Sequence, residues 1–352
     1  MFGILAIVLV FGGLIFFHEL GHFSAARMFG MGVKTFSLGF GPKLFSFKPH
    51  KTTYQLALLP LGGYVALVGE TGPDELPEGF DKEESFSLRP AWQRFIVIAA
   101  GPFFNLLLAW FLCWGVLYMS GESYRLPVIN EVEAESSAHK AGLLPNDIVA
   151  SIDGMSIKDW VEIPAMVQAS EGRPLEMAVK RAGANMKFVV QPILADLPEG
   201  RGQVWRVGIA HSEEPQAITH TFFSASTAAI EKLGDITVMM WKGITGLIQR
   251  TISPSNLMGP IGIGEVIYKT SEHGMNSVIT IAILISLNLG LINLVPIPVL
   301  DGGHLVFLTI EMVTRRAIPD SFKNSAAFVG LALLLCLMLF ATYNDVMRLF
   351  IG

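Results

Sequence analysis

The chain has 352 residues, of which 51% are hydrophobic and only 16% are charged, and its formal net charge is −5. This composition is too apolar for a soluble protein of that length and predicts a membrane protein with several spanning helices. The mild charge balance and the lack of a basic tract in the sequence exclude a nucleic-acid-binding protein. Two cysteines, Cys113 and Cys336, lie in apolar runs and do not indicate a disulfide framework.

The first apolar run covers about residues 1–26 and contains the pattern His18-Glu19-x-x-His22. No charge precedes the run and no small-residue cleavage site follows it, so we expect a retained spanning helix and not a signal peptide. Residues four apart share one face of a helix, so the two imidazoles can point at one metal ion. A catalytic zinc needs a third protein ligand and an open position for water, whose proton the Glu19 carboxylate can accept. Two histidines that merely pack are the alternative, which is less favoured because ionisable groups are costly at membrane depth.

Five basic residues follow this run before the next acidic residue, Glu70. By the positive-inside rule, this loop is expected to be cytoplasmic and the N-terminus to lie outside. The metal site would then lie in the cytoplasmic half of the membrane.

Residues 33–67 alternate apolar and polar side chains and predict a β-hairpin. Gly39-Phe40-Gly41-Pro42 indicates its turn, and residues 52–59 indicate the second strand. A sheet at membrane depth must be covered by protein or water, and an extended peptide can add to its edge as a strand. An ordinary cytoplasmic hairpin is an equally favoured alternative. Residues 71–89 are polar and predict a surface loop.

The second apolar run, about residues 95–119, contains a proline and an amide, Pro102 and Asn105. A polar amide at membrane depth needs a partner. We favour a position of Asn105 near the active site over a role that only holds helices together.

Residues 122–210 have the composition of a soluble domain, which the even number of preceding spans places outside. Strand patterns at 127–132 and within 141–154, a helix at 159–170 and a hairpin at 175–192 follow in order. This order of elements and the amino-acid sequence of residues 141–148 resemble those of a PDZ domain of bacterial proteases. A PDZ domain binds extended chain ends by strand addition, here at residues 124–129. Peptide binding and a role as a bulky gate both remain open.

Residues 216–250 are amphipathic and charged, which favours a helix on the outer leaflet over one packed on the soluble domain. Residues 253–264 are rich in glycine and proline and predict an irregular connection.

The third apolar run, about residues 278–300, ends in a segment with two helix-breaking prolines, Pro296 and Pro298. Asp301 follows as an acid in apolar surroundings that needs a cation, which zinc would supply. His304 is a rival ligand, but we favour Asp301. We expect Asn293 to hydrogen-bond a substrate backbone next to the metal. A fourth run covers about residues 326–343, and the basic residues before it predict a cytoplasmic loop.

These elements predict a polytopic α-helical membrane protein with four transmembrane helices, a membrane-associated β-hairpin and an inserted PDZ-like α+β domain. The expected domains are a membrane core at 1–120 and 276–352, a PDZ-like domain at 122–210 and an amphipathic interfacial region at 216–275. Both termini are expected outside.

The His18-Glu19-x-x-His22 pattern, the segment from Asn293 to Gly302 and a single PDZ-like insert between spans two and three resemble the site-2 protease family of intramembrane zinc metalloproteases. The regulator-of-sigma-E protease group of bacteria is similar over nearly the whole chain. Some members of that group carry two tandem PDZ domains, whereas this chain has room for one.

The resemblance implies a bound Zn²⁺ with His18, His22 and Asp301 as ligands and Glu19 as the general base. It implies that Gly39-Phe40-Gly41 forms a membrane-inserted β-loop. The implied substrate-binding residues are Asn293, Asn105, Gly39, Gly41, Pro296 and Pro298.

The resemblance also implies hydrolysis of peptide bonds in or near the spanning segments of single-span membrane proteins. Anti-sigma factors already cleaved on the outer side and remnant signal peptides are the substrates expected. Other expected partners are the lipid bilayer and a peptide ligand of the PDZ-like domain, but no nucleic acid. The expected location is the bacterial inner membrane, with the active site toward the cytoplasm.

Two other classes remain open from the residues alone. A membrane scaffold or transporter with a structural zinc would need a closed site with four ligands. A zinc enzyme that acts on a lipid would need neither a strand-edge hairpin nor a PDZ-like module.

Overall fold

A computed structural model describes residues 2–70, 76–196, 203–211, 216–249 and 257–351. The chain forms two compact units, the first comprising Met1–Val116 and Phe222–Gly352 and the second Leu117–Thr221. The predicted soluble segment, 122–210, falls inside the second unit. Parts of the expected loop at 71–89 and of the connection at 253–264, namely 71–75 and 253–256, lie outside the described residues.

Long helices dominate the first unit. The helices of the described chain, numbered in order, are α1 (Phe2–Met28), α2 (Ala91–Ser120), α3 (Ser137–Ala141), α4 (Glu162–Ala169), α5 (Phe222–Ile248), α6 (Pro260–Ser271), α7 (Met275–Asn293), α8 (Asp301–Thr314) and α9 (Asp320–Ile351). Lys82–Glu84 add one 3₁₀ turn.

Four helices, α1, α2, α7 and α9, are long and apolar enough to cross a membrane. Less than a third of each apolar stretch is buried inside the protein, and side chains such as Leu9 and Leu339 are more than half exposed. Such surfaces are stable only against lipid or another apolar partner. The prediction of a membrane protein with four spanning helices is therefore confirmed at the level of the helices.

The third spanning helix is shorter than predicted, because α7 ends at Asn293 and not near residue 300. Pro296 and Pro298 cannot donate backbone hydrogen bonds, so the chain from 294 to 300 is irregular. A new helix, α8, then begins at Asp301. The helix break that the two prolines predict is therefore present, and it separates the spanning helix α7 from Asp301.

The expected irregular connection at 253–264 is wrong for residues 260–264, where α6 has already begun. Pro260 occupies the first turn, where its fixed φ suits a helix and its missing N–H costs nothing. The buried Asp345 carboxylate of α9 also accepts hydrogen bonds from the backbone N–H of Gly259, at 3.0 Å, and of Gly262, at 2.8 Å. The carboxylate thereby satisfies backbone donors at the start of α6.

The strands, numbered along the chain, are β1 (Val33–Phe47), β2 (Thr53–Leu67), β3 (Glu122–Tyr124), β4 (Glu131–Val132), β5 (Ile148–Ile152), β6 (Met155–Ser156), β7 (Leu175–Arg181), β8 (Ala184–Val190), β9 (Ile193–Asp196), β10 (Gln203–Arg206), β11 (Ile209–Ala210) and β12 (Gln216–Ile218). β1 and β2 belong to the first unit, and the others to the second.

The β1–β2 sheet is more complex than the predicted hairpin. Residues 35–38 of β1 have partners at both 53–56 and 63–66 of β2, so they lie between the two halves of β2. Residues 43–47 pair with 54–57 on the far side. The sheet therefore has 63–67 along one edge and 43–47 along the other.

The chain reverses at the predicted Gly39-Phe40-Gly41-Pro42, because residues 35–38 run in the same direction as 53–56, whereas 43–47 run opposite to 54–57. It reverses a second time at 48–52, so the second strand of the predicted hairpin, 52–59, follows after an additional strand at 43–47. Gly39 and Gly41 have φ of 89° and 87°, a conformation that glycine adopts without strain. A Cβ at Gly39 would lie 2.8 Å from the Leu59 carbonyl oxygen. These glycines allow the chain to reverse within β1 and to lie close to β2.

The second unit surrounds its own apolar core. A four-stranded sheet in the order β6-β5-β7-β8 packs with α4 around buried side chains that include Val149, Ile152, Ile163 and Met177. Three two-stranded pairings, β10-β9, β11-β4 and β12-β3, complete its described part. Of the strand expected at 127–132, only β4 is a regular strand, because Pro127 at its start lacks an N–H.

Candidate metal centre

His18 and His22 lie one helical turn apart on α1 and face the same point. Their Nε2 atoms are 3.2 Å from each other, and their ring centroids are 4.8 Å apart. The spacing of four residues is therefore used as the sequence predicts.

Asp301 reaches the two histidines from α8. Its Oδ2 lies 3.3 Å from His18 Nε2, and its Oδ1 lies 3.6 Å from His22 Nε2. Residues 18 and 301 are nearly three hundred positions apart in the chain, so the fold has to bring them together. His304, the rival ligand, lines the same cavity but is not part of this cluster.

Two glycines after Asp301 hold the start of α8 against the irregular segment before it. A Cβ at Gly302 would overlap the backbone of Leu294 and Val295, and a Cβ at Gly303 would overlap that of Ile297. Only glycine permits this approach. The proline-broken segment and the two glycines together place the Asp301 carboxylate.

The three donor atoms fit a zinc ion. A tetrahedral zinc with bonds of about 2.0–2.2 Å has neighbouring ligands about 3.3–3.6 Å apart. The distances among His18, His22 and Asp301 are 3.2, 3.3 and 3.6 Å. Among the described residues, these three are the histidine, cysteine or acidic residues whose ligand atoms lie close enough together, within 4.8 Å of one another, to bind one metal ion.

The second ring nitrogen of His22 also has a hydrogen-bond partner. Its Nδ1 lies 2.9 Å from the backbone oxygen of Val97 on α2, so Nδ1–H donates there and the lone pair of Nε2 is free for a metal. Metal-binding histidines usually have such a partner on the second nitrogen.

Glu19 is buried between α1 and the sheet, next to the two ligand histidines in the chain. The Val65 backbone is within hydrogen-bonding reach of its carboxylate. A Cβ at Gly63 would lie 3.1 Å from Glu19 Cγ. The edge segment 63–67 of β2 therefore runs directly beside the acid.

Two glycines allow α1 and α2 to meet at the site, and the sequence analysis did not identify them. A Cβ at Gly101 would overlap the His22 imidazole and lie 2.9 Å from His18 Cε1. A Cβ at Gly21 would overlap the Ala100 backbone. Glycines inside apolar helices are the sequence signal for such close helix contacts.

Asn105 and Asn293 differ in their relation to the cluster. Asn105 is fully buried, and its Nδ2 lies 3.2 Å from His18 Nδ1. Asn293 is the half-buried last residue of α7. Among the described residues, neither is part of the lining of the adjoining cavity.

A cavity of about 730 Å³ opens onto the metal cluster. His18, Glu19, His22 and Asp301 line it together with the edge segment of β2. Pro298 also lines it, whereas Pro296 is exposed outside it. The Gly39 and Gly41 bend is likewise not part of this lining, as far as the described residues extend.

An ion pair between Arg94 of α2 and Glu311 of α8 borders the same cavity, with 2.5 Å between Arg94 Nη2 and Glu311 Oε1. Both side chains are largely buried. The pair connects the helix that supports the histidines to the helix that carries Asp301.

Comparison with known proteins supports a single assignment. The family model of peptidase family M50 matches residues 6–337. The chain is 37% identical to Cj1068 of Campylobacter jejuni, which is named as a candidate zinc metalloprotease, over 98% of this chain and 93% of that protein. It is 28% identical to the regulator of sigma-W protease RasP of Bacillus subtilis over 99% of both chains. The zinc metalloprotease RasP of Geobacillus kaustophilus is 29% identical over 99% of this chain and 98% of its own.

Proposed function

The chain belongs to peptidase family M50 and is a zinc metalloprotease, and we propose that it hydrolyses peptide bonds in or near the spanning segments of single-span membrane proteins. The observation that carries this proposal is the donor trio of His18, His22 and Asp301 with Glu19 beside it, set among apolar helices of spanning length. Three ligands and a neighbouring acid match a catalytic zinc, which keeps one position open, better than a closed structural one.

His18, His22 and Asp301 would hold the ion. When bound, zinc lowers the pKa of water to about 7 and polarises the scissile carbonyl. Glu19 accepts the proton of the attacking water on its carboxylate and passes it to the nitrogen of the leaving amine. The Glu19 side chain is buried, so its surroundings screen charge less than water does, which strengthens the pull of the carboxylate on that proton.

The substrate has to be extended where it is cut, because a helix hides its carbonyls in internal hydrogen bonds. The edge segment 63–67 of β2 pairs with residues 33–38 on one side, and its other side borders Glu19 and the cavity. We assign this edge as the surface that receives the unwound substrate as an added strand. The added backbone hydrogen bonds would offset part of the cost of unwinding.

We propose that the opposite edge of the sheet, residues 43–47, contacts lipid. Leu44, Phe45 and Phe47 on the 43–47 edge are each more than half exposed. An exposed apolar patch of this kind marks a membrane or protein contact. The Gly39 and Gly41 bend would direct this edge toward the bilayer.

Helix α5 has three distinct faces, as expected of an interfacial helix. Ala225, Ala229 and Leu233 are buried. A second face of exposed apolar side chains lies at helical spacing and comprises Phe223, Ile230, Val238 and Trp241. A third face carries the charges Glu231, Lys232, Asp235 and Lys242. We propose that the second face enters the outer leaflet and that the charged face meets water and headgroups.

The proposed location is the bacterial inner membrane, with both termini and the second unit outside and the metal site toward the cytoplasm. The basic loops after α1 and before α9 support this orientation. A large outer unit would obstruct bulky ectodomains, so the favoured substrates are shortened beforehand, as an anti-sigma factor or a remnant signal peptide would be. The second unit would act as a PDZ-like module that binds a peptide end near residues 124–129 or gates access.

Labelling in intact cells tests the orientation. Asn185 lies exposed in the second unit, so a cysteine there, Asn185→Cys, should react with an impermeant reagent after Cys113 and Cys336 are replaced by alanine. Protection of this cysteine until the cells are opened would contradict the proposed topology.

Cleavage of a single-span substrate in detergent tests the reaction. Glu19→Gln should lose about 10²–10⁴-fold in rate, as expected for a general base, and should keep its zinc. Glu83→Gln makes the same chemical change at an exposed carboxylate and is the matched control. Equal rates for Glu19→Gln and the control would contradict the proposed mechanism.

A further inference from the structure

Asn105 lies behind the metal cluster and away from the cavity. It is on α2 one turn after Gly101, so the two residues share a face of the helix. That face is the one on which Gly101 leaves room for both imidazoles. The Asn105 side chain is completely buried, although a polar amide at membrane depth is costly unless it has a specific partner.

The partner of Asn105 is the far nitrogen of a metal ligand. The Asn105 amide lies 3.2 Å from Nδ1 of His18, while Nε2 of the same ring is directed at His22 and Asp301. The imidazole of His18 therefore connects the amide to the donor cluster.

The state of the amide decides which nitrogen of His18 can bind a metal. With Nδ2 toward the ring, the amide donates to Nδ1, so the proton of the neutral imidazole must be on Nε2 and that atom cannot bind an ion. With Oδ1 toward the ring, the amide accepts from Nδ1–H and leaves the Nε2 lone pair free. The two states differ by a half-turn of a nearly symmetric group.

The second state also employs an atom that otherwise has no partner. Within the described part of the chain, Asn105 Oδ1 is buried and makes no hydrogen bond. A buried acceptor without a donor costs free energy, and His18 Nδ1–H is the donor within reach once the amide turns. Metal binding and satisfaction of Oδ1 are thus coupled.

A third helix, α7, contacts the backbone of α2 at Asn105. Ser286 of α7 is fully buried and donates from Oγ to the backbone oxygen of Asn105 at 2.7 Å. A Cβ at Gly290, one turn further along α7, would lie 3.1 Å from the Pro102 oxygen, so α7 and α2 are in close contact there. The backbone at Asn105 is therefore fixed by α7 as well as by α2, while the side-chain amide contacts His18 of α1.

His18 and His22 are then supported by α2 in equivalent ways. Val97 offers a backbone oxygen to Nδ1 of His22, and the side-chain amide of Asn105 lies against Nδ1 of His18, to which it offers its oxygen once it turns. Val97, Gly101 and Asn105 are four residues apart and lie along one face of the helix. The Val97 oxygen belongs to the backbone, so a substitution at position 97 does not remove it. The partner of His18 is a side-chain amide, which a substitution at position 105 can remove.

We propose that Asn105 is a positioning residue, which holds His18 through Nδ1–H···Oδ1 in the tautomer that presents Nε2 to zinc, and that it does not bind substrate. This inference deepens the proposed function and depends on the metal site described above.

Zinc affinity of the purified full chain in detergent, measured by competition with a chelator, tests the proposal. Asn105→Leu leaves His18 Nδ1–H without an acceptor and should weaken zinc binding about 10–100-fold, the usual cost of losing such a partner. Asn105→Asp still accepts from Nδ1–H and should restore the affinity to within a few fold of wild type. The KM for a single-span substrate at saturating zinc should not change in either variant.

Ser286→Ala is the matched control. It removes the hydrogen bond to the backbone of Asn105 but leaves the amide and His18 in place, so the melting temperature should fall and the zinc affinity should not. His22→Ala in the same titration checks the site itself. If His22→Ala loses zinc but Asn105→Leu binds zinc as tightly as wild type, the positioning role of Asn105 alone is overturned. If His22→Ala binds zinc fully, the assignment of the metal site is overturned. A raised KM with unchanged zinc affinity in Asn105→Leu would assign Asn105 to the substrate instead.

Discussion

Each unit of the molecule contains an acid with little or no exposure to solvent, and the two acids are satisfied in different ways. In the second unit, the fully buried Asp147 accepts two hydrogen bonds of 2.7 Å from Arg181 and one of 2.9 Å from the Leu144 N–H. In the first unit, Asp301 faces two imidazoles and, among the described residues, no lysine or arginine forms an ion pair with it. A carboxylate with a complete set of partners is structural, whereas one that faces two imidazoles spaced as metal ligands is incomplete without a metal cation.

The largest expected effect is at the incomplete acid. Asp301→Ala and His22→Ala each remove one of three zinc ligands, so bound zinc should fall from one equivalent to near zero and cleavage should be lost. Metal content by mass spectrometry, with Glu19→Gln as a control that retains zinc, measures the effect. A full equivalent of zinc in both ligand variants would remove the contrast between the two acids.

Loss of the Arg181 partner of Asp147 should lower the free energy of unfolding of the second unit and leave the metal content unchanged. Arg181→Ala leaves the Asp147 carboxylate buried without its cation and should destabilise the second unit by about 3 kcal/mol. Hydrogen exchange of core amides such as Val149 and Ile152 measures this loss. Lys187→Ala breaks an exposed pair with Glu176 and should cost less than about 1 kcal/mol. Equal losses in the two variants would show that the buried pair is not special.

Smaller effects are expected where a helix backbone supports the metal site. Gly101→Ala places a Cβ against both imidazoles and should cost about 1–3 kcal/mol of stability, with weaker zinc binding. Gly115→Ala on the same helix has open space around its Cβ and is the matched control. Thermal unfolding and zinc titration in detergent measure both, and an unchanged zinc affinity in Gly101→Ala would contradict the close contact.

The smallest effect is the acid sensitivity of the second unit. Burial raises the pKa of Asp147, but hydrogen bonds from Arg181 and Leu144 outweigh it, so the pKa of the folded state is below the ordinary value. The stabilisation from this pair is therefore complete above the ordinary pKa of about 4 and is lost as the pH falls toward the lower, folded value. Hydrogen exchange at pH 7 and near pH 3 should show this loss in wild type and a smaller one in Asp147→Asn. The same slope in both would contradict the pairing.

The sequence predicts the spanning helices and the side-by-side placement of His18 and His22 well, because both rest on local patterns. An apolar run of about twenty residues and a His18-Glu19-x-x-His22 spacing are visible without the fold. The break at Pro296 and Pro298 is visible for the same reason, since proline acts through its own ring and its missing N–H.

Features that depend on contacts between distant segments were not predictable in this way. The double partnership of residues 35–38 within the sheet depends on the register of two long strands, which no local pattern gives. The start of α6 at Pro260 depends partly on Asp345, more than eighty residues later. The importance of Gly101 emerges only when α1 is placed beside it.

X-ray absorption at the zinc edge of the purified wild-type chain tests the central claim most directly, because it reports the atoms bound to the metal. Two imidazole nitrogens at about 2.0–2.1 Å and carboxylate or water oxygen at about 2.0–2.2 Å are expected, with one oxygen shell altered in Asp301→Ala. A sulfur shell near 2.3 Å, or a spectrum with no imidazole scattering, would contradict a zinc ion held by His18, His22 and Asp301.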